Sequence, residues 1–293
     1  MNSRVWDRHT LACNKVLDGH TKGVLCLQYD GDILITGSID GTVKVWGLTS
    51  GELMNTLEHH TKPVAILVYK HGVLVTSAAL ENVIYVFTVH SSKDIKLRSK
   101  LLGYRTDCLA LDLDERYIVT AARDFPQRCG DTDIKVWNTK TCEHVRDITG
   151  SEEGTITLQY RYPLIVTCCF SFDMKVWDVE NGTCLRTFKG HPKLLGFLRF
   201  NNKYMVSADG DGVCKIWDME AILDQQRKEE DLLLASFQEY HSDGSILANT
   251  FANTNHLQFD DFIIMTGNSD GTIMIYDFDE EKISQHQGRK NSK

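Results

Sequence analysis

A set of four polar and aromatic residues recurs at fixed intervals along this chain of 293 residues, and it constrains the fold more than any other feature. Successive members of the set are 16, 4 and 6 residues apart. The first set consists of His20, Thr36, Asp40 and Trp46. A second set with the same intervals consists of His191, Ser207, Asp211 and Trp217. Short β-rich runs broken by Asp/Gly turns lie between these markers, which is the pattern of consecutive β-hairpins.

Less regular copies of the set fill the rest of the chain, so the pattern is an internal repeat. Its hydroxyl position holds Thr or Ser at residues 36, 76, 120, 167, 207 and 266. A period of about 40 to 45 residues, with Gly-His at the start and Trp-Asp at the end, is the WD40 signature of a four-stranded propeller blade. The sequence therefore predicts an all-β WD40 β-propeller over residues 1–279, followed by a polar, disordered tail over 280–293. Six blades are recognisable, and a partial blade precedes them.

The four markers are expected to form one hydrogen-bond chain within each blade. The turn Asp accepts from the His ring, the His contacts the strand hydroxyl, and the hydroxyl accepts from the Trp indole N–H. Such a chain allows polar groups to be buried while each one keeps a partner. We therefore interpret His20 and His191 as structural residues and not as catalytic or metal-binding ones.

Two copies depart from the pattern in ways that matter below. In the second blade, Leu80 and Glu81 stand where the turn Asp is expected, and Phe87 replaces the Trp. We therefore expect this blade to be looser than the first and the fifth. In the fifth blade, the stretch Met219–Leu234 breaks the strand pattern, which predicts a short helix leading into the outer strand.

The first residues resemble the end of a blade whose earlier strands are absent. Residues 4–7 read as the end of one strand, and residues 13–17 read as an outer strand. Two arrangements remain open. The outer strand adds to the sixth blade and closes a six-bladed ring, or the chain follows a seven-bladed pattern that lacks most of one blade.

Composition excludes several classes of function. The net charge of −8 and the pI of about 5.8 argue against a nucleic-acid-binding surface, which is normally basic. Nine cysteines are scattered without metal-ligand spacing, so no metal is expected and a reducing compartment, cytoplasmic or nuclear, fits best. No apolar run is long enough to span a membrane. Neither a catalytic set nor a cofactor motif stands out, so we expect a binding module and not an enzyme.

Several segments are similar to one particular family of WD40 proteins. They include GHTKGVLCLQYDGDILITGSIDGTVKVW, SGELMNTLEHH, DIKVWNTKTCEHVR and GHPKLLGFLRFNNKYMVSADGDGVCKIWD. These segments resemble the WD40 domain of the beta-transducin repeat-containing (Slimb-like) F-box proteins, which are substrate receptors of SCF ubiquitin ligases. The resemblance implies a seven-bladed propeller that reads a doubly phosphorylated DSG-type degron on its top face. No F-box region precedes the repeats in this sequence, so docking of the Skp adaptor is not expected.

The resemblance also implies which residues face the partner, and most phosphate readers of the family are replaced. Gly23, Ile39, Gly196 and Gly210 stand at positions of polar or basic readers, and Glu153 reverses the charge of an arginine. The predicted partner-binding residues on the top face are Leu25, Arg123, Arg128, Glu153, Gly154 and Leu194. A protein or peptide partner is expected there, with any anion preference limited to the two arginines. The alternatives are a scaffold unrelated to ubiquitination and a degenerate paralogue with little function.

Overall fold

A computed structural model describes residues 2–7, 10, 12–104, 108–122, 134–150, 155–169, 171–193, 195–209, 213–238, 254–259, 263–268 and 273–277. These ranges contain β-strands, one short α-helix and one 3-10 helix. The chain divides into two compact units, residues 1–149 and residues 150–293. The fold is therefore all-β, as the sequence predicts.

The first unit contains one two-stranded sheet and three four-stranded sheets, each of which we call a blade. The two-stranded sheet is β1 (Asn2–Trp6) and β2 (Cys13–Asp18). Blade 1 is β3 (Val24–Asp30), β4 (Ile33–Ser38), β5 (Val43–Gly47) and β6 (Leu53–Leu57). Blade 2 is β7 (Val64–Lys70), β8 (Val73–Ala78), β9 (Val83–Val89) and β10 (Ile95–Leu102). Blade 3 is β11 (Cys108–Leu113), β12 (Tyr117–Ala122), β13 (Ile134–Asn138) and β14 (His144–Ile148).

The second unit contains two further four-stranded blades and a three-stranded sheet. Blade 4 is β15 (Thr155–Arg161), β16 (Leu164–Cys169), β17 (Asp173–Asp178) and β18 (Cys184–Lys189). Blade 5 is β19 (Leu195–Phe200), β20 (Tyr204–Asp209), β21 (Val213–Asp218) and β22 (Leu233–Gln238). The last sheet, blade 6, is β23 (Thr254–Phe259), β24 (Ile263–Asn268) and β25 (Ile273–Asp277).

Within every blade the strands pair in chain order and run antiparallel. Consecutive blades pack through their first strands, β3 on β7 and β7 on β11 in the first unit, and β15 on β19 and β19 on β23 in the second. Side chains of the middle strands alternate between two buried faces, so Ile35, Val45 and Val75 are fully enclosed. This alternation explains the near-continuous apolar runs of the middle strands, because both of their faces are covered by neighbouring sheets.

The short helix predicted in the fifth blade is α1 (Met219–Leu223), and it begins directly after β21. The side chain of Asp218 caps it by accepting from the backbone N–H groups of Glu220 and Ala221, at 2.9 and 3.1 Å. A 3-10 turn over Glu229–Asp231 then leads into β22. Among the described residues, no helix is long and apolar enough to cross a membrane.

The first two strands form a two-stranded sheet of their own among the described strands. Strand β2, which contains the predicted outer strand, pairs with β1, and blade 6 consists of β23, β24 and β25. Pairing with β1 uses only one of the two edges of β2, so both arrangements that the sequence left open stay predictions.

Candidate partner-binding face

A buried hydrogen-bond chain holds blade 1 together. The indole Nε1–H of Trp46 donates to Thr36 Oγ1 at 2.9 Å, and Thr36 Oγ1 lies 2.8 Å from His20 Nε2. The other ring nitrogen, Nδ1, lies 3.0 Å from Asp40 Oδ2. A carboxylate only accepts, so Nδ1 carries the proton and Nε2 accepts from the threonine hydroxyl. The structure thus brings His20, Thr36, Asp40 and Trp46 into one chain.

The electrostatics of this chain favour a neutral imidazole and a charged carboxylate. Burial lowers the pKa of His20, although the hydrogen bond to Asp40 opposes that shift. Burial would raise the pKa of Asp40, but hydrogen bonds from Thr42, His20 and Thr21 outweigh it and lower the pKa below its ordinary value. A neutral ring with both nitrogens occupied is neither a general base nor a free metal ligand. The chain is therefore structural.

The same carboxylate fixes the loop and the turn at one end of the blade. The backbone N–H of Thr21 donates to Asp40 Oδ2 at 2.9 Å, and the backbone N–H of Ile39 donates to the carbonyl of Gly23 at 2.8 Å. The loop over residues 19–23 and the turn over residues 38–42 are thus tied to each other. We call this end of the blades, with the equivalent loops of the neighbouring blades, the top face.

Blade 2 keeps an acidic partner for its histidine, contrary to the expectation that this group is lost. His60 Nδ1 lies 2.7 Å from Glu81 Oε2, and His60 Nε2 lies 2.8 Å from Thr76 Oγ1. Glu81 Oε1 also accepts from the backbone N–H of Thr61 at 2.7 Å. The turn is one residue longer than in blade 1, and the longer glutamate side chain still reaches the ring. The signal in the sequence was an acidic residue five positions after Thr76 instead of four.

The extra turn residue of blade 2 has a strained backbone. Leu80 has a φ of 61°, and its side chain is 76% exposed. The left-handed region costs a residue with a Cβ about 1–2 kcal/mol, and glycine avoids that cost. We expect Leu80→Gly to raise the free energy of unfolding by about 0.5–1 kcal/mol, because the entropy of glycine in the unfolded chain offsets part of the gain. Urea titration measures the change, with Leu80→Ala as the control that keeps the Cβ. Equal stability of the two variants would contradict this explanation.

In blades 3 and 4 the strand hydroxyl also accepts from the tryptophan indole. Thr120 Oγ1 accepts from Trp137 at 3.0 Å, and Thr167 Oγ1 accepts from Trp177 at 2.9 Å. In blade 3 the position of the histidine holds Tyr104, whose hydroxyl lies 2.8 Å from Thr120 Oγ1. A phenol hydroxyl supplies the same contact without an acidic partner, which explains why the blade tolerates the replacement.

In blade 5 the acidic partner of the histidine is not the aspartate that the repeat spacing predicted. His191 Nδ1 lies 2.9 Å from Asp209 Oδ2, and Nε2 lies 2.7 Å from Ser207 Oγ. Ser207 also accepts from the indole of Trp217 at 2.8 Å. The predicted partner, Asp211, lies outside the described residues. The sequence has aspartates at both 209 and 211, and the repeat spacing predicted Asp211 as the partner.

The top face of blades 1 and 2 exposes large apolar side chains above the fixed loops. Leu25 at the start of β3 and Ile39 in the turn of blade 1 are exposed, and so is Leu80 in blade 2. The two blades meet closely here, because a Cβ on Gly41, whose φ is 83°, would lie 3.3 Å from the carbonyl oxygen of His60. Of the predicted top-face residues, the structure describes Leu25. The others, Arg123, Arg128, Glu153, Gly154 and Leu194, lie outside the described residues.

Metal-type side-chain clusters and cysteine thiols bear on chemistry beyond binding in the described residues. Among those residues, no group of three or more His, Cys, Asp and Glu side chains is arranged to hold a metal ion. Burial raises the pKa of the Cys26 thiol and of the Cys168 thiol to about 12. A thiol must lose its proton to act as a nucleophile or a metal ligand, so these two cysteines serve as packing residues.

Comparison with known proteins agrees with the repeat pattern. A family model described as "WD domain, G-beta repeat" matches residues 11–47 and 182–218. Periodic tryptophan protein 2 of Arabidopsis thaliana is 27% identical over 231 residues, which is 75% of this chain and 25% of that protein. The probable E3 ubiquitin ligase complex SCF subunit sconB of Talaromyces marneffei is 54% identical over 43 residues, which is 15% of this chain and 6% of that protein.

Solved structures extend the likeness to the fold. A chain of a mitotic checkpoint complex has a TM-score of 0.75 and 15% identity over 94% of this chain and 84% of that one. The computationally designed Ika8 protein has a TM-score of 0.72 and 26% identity over 94% of this chain and 77% of that one. The chain spans about a quarter of the length of the curated relatives with the widest matches. The chain therefore carries WD40 repeats, and its fold is that of an all-β WD40 propeller.

Proposed function

We propose that this chain is a protein-interaction module that binds a protein or peptide partner on its top face and carries out no catalytic step. The observation that carries the proposal is the combination of fixed loops and exposed apolar side chains at this end of blades 1 and 2. Buried carboxylate–histidine pairs hold the loops, so little conformational entropy is lost when a partner binds. Exposed Leu25, Ile39 and Leu80 offer the apolar contacts that anchor a partner.

The finer part of the proposal is a relation to the substrate receptors of SCF ubiquitin ligases. It is supported by the short match to subunit sconB and by the segments that resemble the Slimb-like family. On that comparison, Gly23 and Ile39 replace polar phosphate readers, and Ile39 presents an apolar side chain. Hydrogen bonds to charged groups contribute about 1.5–3 kcal/mol each, and about 1.4 kcal/mol is a tenfold change in affinity. Losing several of them removes detectable selection for a phosphorylated degron, so we propose a partner that is recognised without phosphate.

Two peptides test this part of the proposal. A DSG-type peptide with both serines phosphorylated and its unphosphorylated form are titrated by fluorescence polarisation at low and at physiological salt. We expect the two dissociation constants to agree within about threefold at physiological salt. Tight binding of the phosphorylated form alone would overturn the proposal. If weak phosphate-dependent binding is lost in Arg123→Ala but not in Lys228→Ala, the predicted arginine would be assigned to a rebuilt anion site.

Proximity labelling in cells identifies the partner and the face. The variant Leu25→Asp with Ile39→Asp places charges on the top face, and Leu53→Asp places a charge at an exposed position on the outer strand of blade 1. We expect the top-face variant to lose a defined group of labelled proteins that the Leu53→Asp control keeps. Identical labelling by both variants would show that the partner binds elsewhere.

The second candidate function is a scaffold that has no link to ubiquitination. The match of Periodic tryptophan protein 2 to 75% of this chain supports it, because that protein is not named as a ligase subunit. Co-purification separates the two candidates. The receptor-like function requires a cullin complex among the associated proteins, whereas a scaffold does not. We also propose that the propeller does not dock the Skp adaptor directly, which micromolar binding of the purified proteins would contradict.

A further inference from the structure

The outer strand of blade 2 presents a long strand edge. Strand β10 pairs with β9 on one side, and no other described strand pairs along its second side. It has eight residues, whereas the outer strands β6, β14, β18 and β22 have five or six. The backbone N–H and C=O groups of such an edge can pair with an added strand, and proteins often limit this by keeping edge strands short. Blade 2 does not use that protection.

The same strand concentrates positive charge in an acidic protein. Lys96, Arg98 and Lys100 belong to β10, and Lys93 lies in the turn before it. The outer strands β6, β14, β18 and β22 contain at most two lysines or arginines each. The net charge of the whole chain is −8. The positive charge of this edge is therefore local, and its sign is opposite to that of the chain.

The cations of β10 remain accessible to a ligand. Lys96, Arg98 and Lys100 are all exposed. Lys96 Nζ lies 3.6 Å from a carboxylate oxygen of Asp94, but both side chains are largely exposed, so water weakens this pair. Lys100 Nζ lies 5.3 Å from the centroid of the Tyr85 ring, a contact that does not neutralise its charge. An incoming carboxylate can therefore pair with these groups at little cost.

The side chains of β10 divide between the two faces of the sheet. Lys96 and Lys100 point to opposite faces, because the residues that they pair with on β9 are three positions apart. Leu97 and Leu102 lie on the face of Lys100, and they are 41% and 62% exposed. A strand added to this edge would meet positive charge on both faces and apolar surface on one of them.

We propose that the outer edge of blade 2 binds an acidic, extended segment of a partner protein, which adds to β10 as a fifth strand. This edge, which we call the β10 edge, consists of the main chain of residues 95–102 together with Lys96, Arg98 and Lys100. Main-chain hydrogen bonds supply the pairing, as in other strand-addition complexes, and opposite charges on the two strands stabilise it. The same cations repel a basic strand and a second copy of β10, so charge selects the partner.

Charge complementarity and the strand edge together assign the occupant to acidic protein segments. An edge offers main-chain donors and acceptors at regular intervals, which an extended peptide matches and a lipid surface or a nucleic acid does not. The negative charge of the whole chain also disfavours long polyanions. The β10 edge runs along the side of blade 2, whereas the top face consists of loops and turns. This binding is therefore additional to the function proposed above.

Three labelled decapeptides test the proposal by fluorescence polarisation with the full-length protein. The first carries four glutamates among valines and threonines, the second has glutamine at those four positions, and the third is the first with alternate backbone nitrogens methylated. We expect the glutamate peptide to bind at least about tenfold more tightly than the glutamine peptide at physiological salt. Methylation removes main-chain donors, so the third peptide should bind no better than the second. Equal binding of the first and third would overturn strand addition, and no binding by any peptide would overturn the proposal by showing that the charges only protect the edge.

Matched charge variants locate the site. Lys96→Gln with Arg98→Gln and Lys100→Gln should lower the affinity for the glutamate peptide to that for the glutamine peptide. The control variant has the same net charge and carries glutamine at three exposed positions elsewhere, namely Lys140, Lys189 and Lys228. It should bind the glutamate peptide as the unchanged protein does. Equal losses in the two variants would show that net charge alone is measured, which contradicts a site on β10.

Hydrogen exchange distinguishes a partner from other occupants. The outward N–H groups of β10 should exchange quickly in the free monomer and become protected by the glutamate peptide. Protection in the free monomer would overturn the proposal, because the chain would then cover its own edge. Anionic lipid vesicles or duplex DNA that bind in place of the peptides, and lose binding in the β10 variant, would overturn it in favour of that ligand. Leu25→Asp with Ile39→Asp should leave peptide binding unchanged, so the result does not depend on the top face.

Discussion

Replacing Asp209 with alanine is expected to lower the free energy of unfolding by about 3 kcal/mol. The carboxylate is fully buried, and it contacts His191 Nδ1 at 2.9 Å and the backbone N–H of Val213 at 3.0 Å. Its removal leaves the buried ring N–H of His191 and the partly buried backbone N–H of Val213 without this acceptor, and a buried donor without an acceptor costs about 1–3 kcal/mol. Burial lowers the pKa of His191, so the ring stays neutral. In the variant, its Nδ1–H group therefore has no carboxylate to accept the hydrogen bond. Urea unfolding followed by tryptophan fluorescence measures the loss.

The matched control for this prediction is Asp231→Ala, which removes an exposed carboxylate in the 3-10 turn of the same blade. Exposed substitutions of this kind change stability by less than about 0.5 kcal/mol. Asp209→Asn is the milder variant, since an amide oxygen still accepts from the histidine ring. A loss below about 1 kcal/mol in Asp209→Ala would mean that another carboxylate, such as that of Asp211, replaces Asp209 at the ring.

Replacing Phe87 with alanine is expected to cost about 3–5 kcal/mol, the range for truncating a buried aromatic residue. Phe87 is fully buried in the cluster that joins blades 1 and 2, where it packs with Val45, Leu57 and Leu74. The ring of His59 makes an edge contact with it, at 5.0 Å between ring centroids. The cavity left by alanine lies between two sheets that are held in place by other contacts, so it collapses only in part. Thermal and urea unfolding measure the effect.

Phe87→Leu is the matched control, because it keeps most of the volume and should cost about 1 kcal/mol. The pair also tests whether blade 2 is looser than its neighbours, as the loss of the usual tryptophan suggested. A loose blade would lose less than about 1.5 kcal/mol in Phe87→Ala, and its amide protons would exchange faster than those of blade 1. The retained His60–Glu81 pair and the burial of Phe87 lead us to expect the larger loss.

The repeat in the sequence determined the blades and most of their internal hydrogen bonding. Sixteen residues separate His20 from Thr36 and His191 from Ser207, and this length is one loop, one strand and one tight turn. The histidine and the hydroxyl meet because the hairpin is local, so the spacing alone fixes their distance. The same argument covers the tryptophan, which lies on the next strand, ten residues after the hydroxyl. The chain in blade 1 was therefore predictable to the residue.

The acidic partners were decided by the tertiary structure. Glu81 reaches His60 from a longer turn, and Asp209 reaches His191 from the end of β20. An Asp or a Glu at several neighbouring turn positions can bring a carboxylate oxygen to the histidine ring. The interval in the sequence therefore does not determine which acidic residue makes the contact. Likewise, Leu27 and Leu67 occupy the same place in their strands, yet one is exposed and the other is buried. Alternation assigns a side chain to a face of its own sheet, but burial depends on whether a second sheet covers that face.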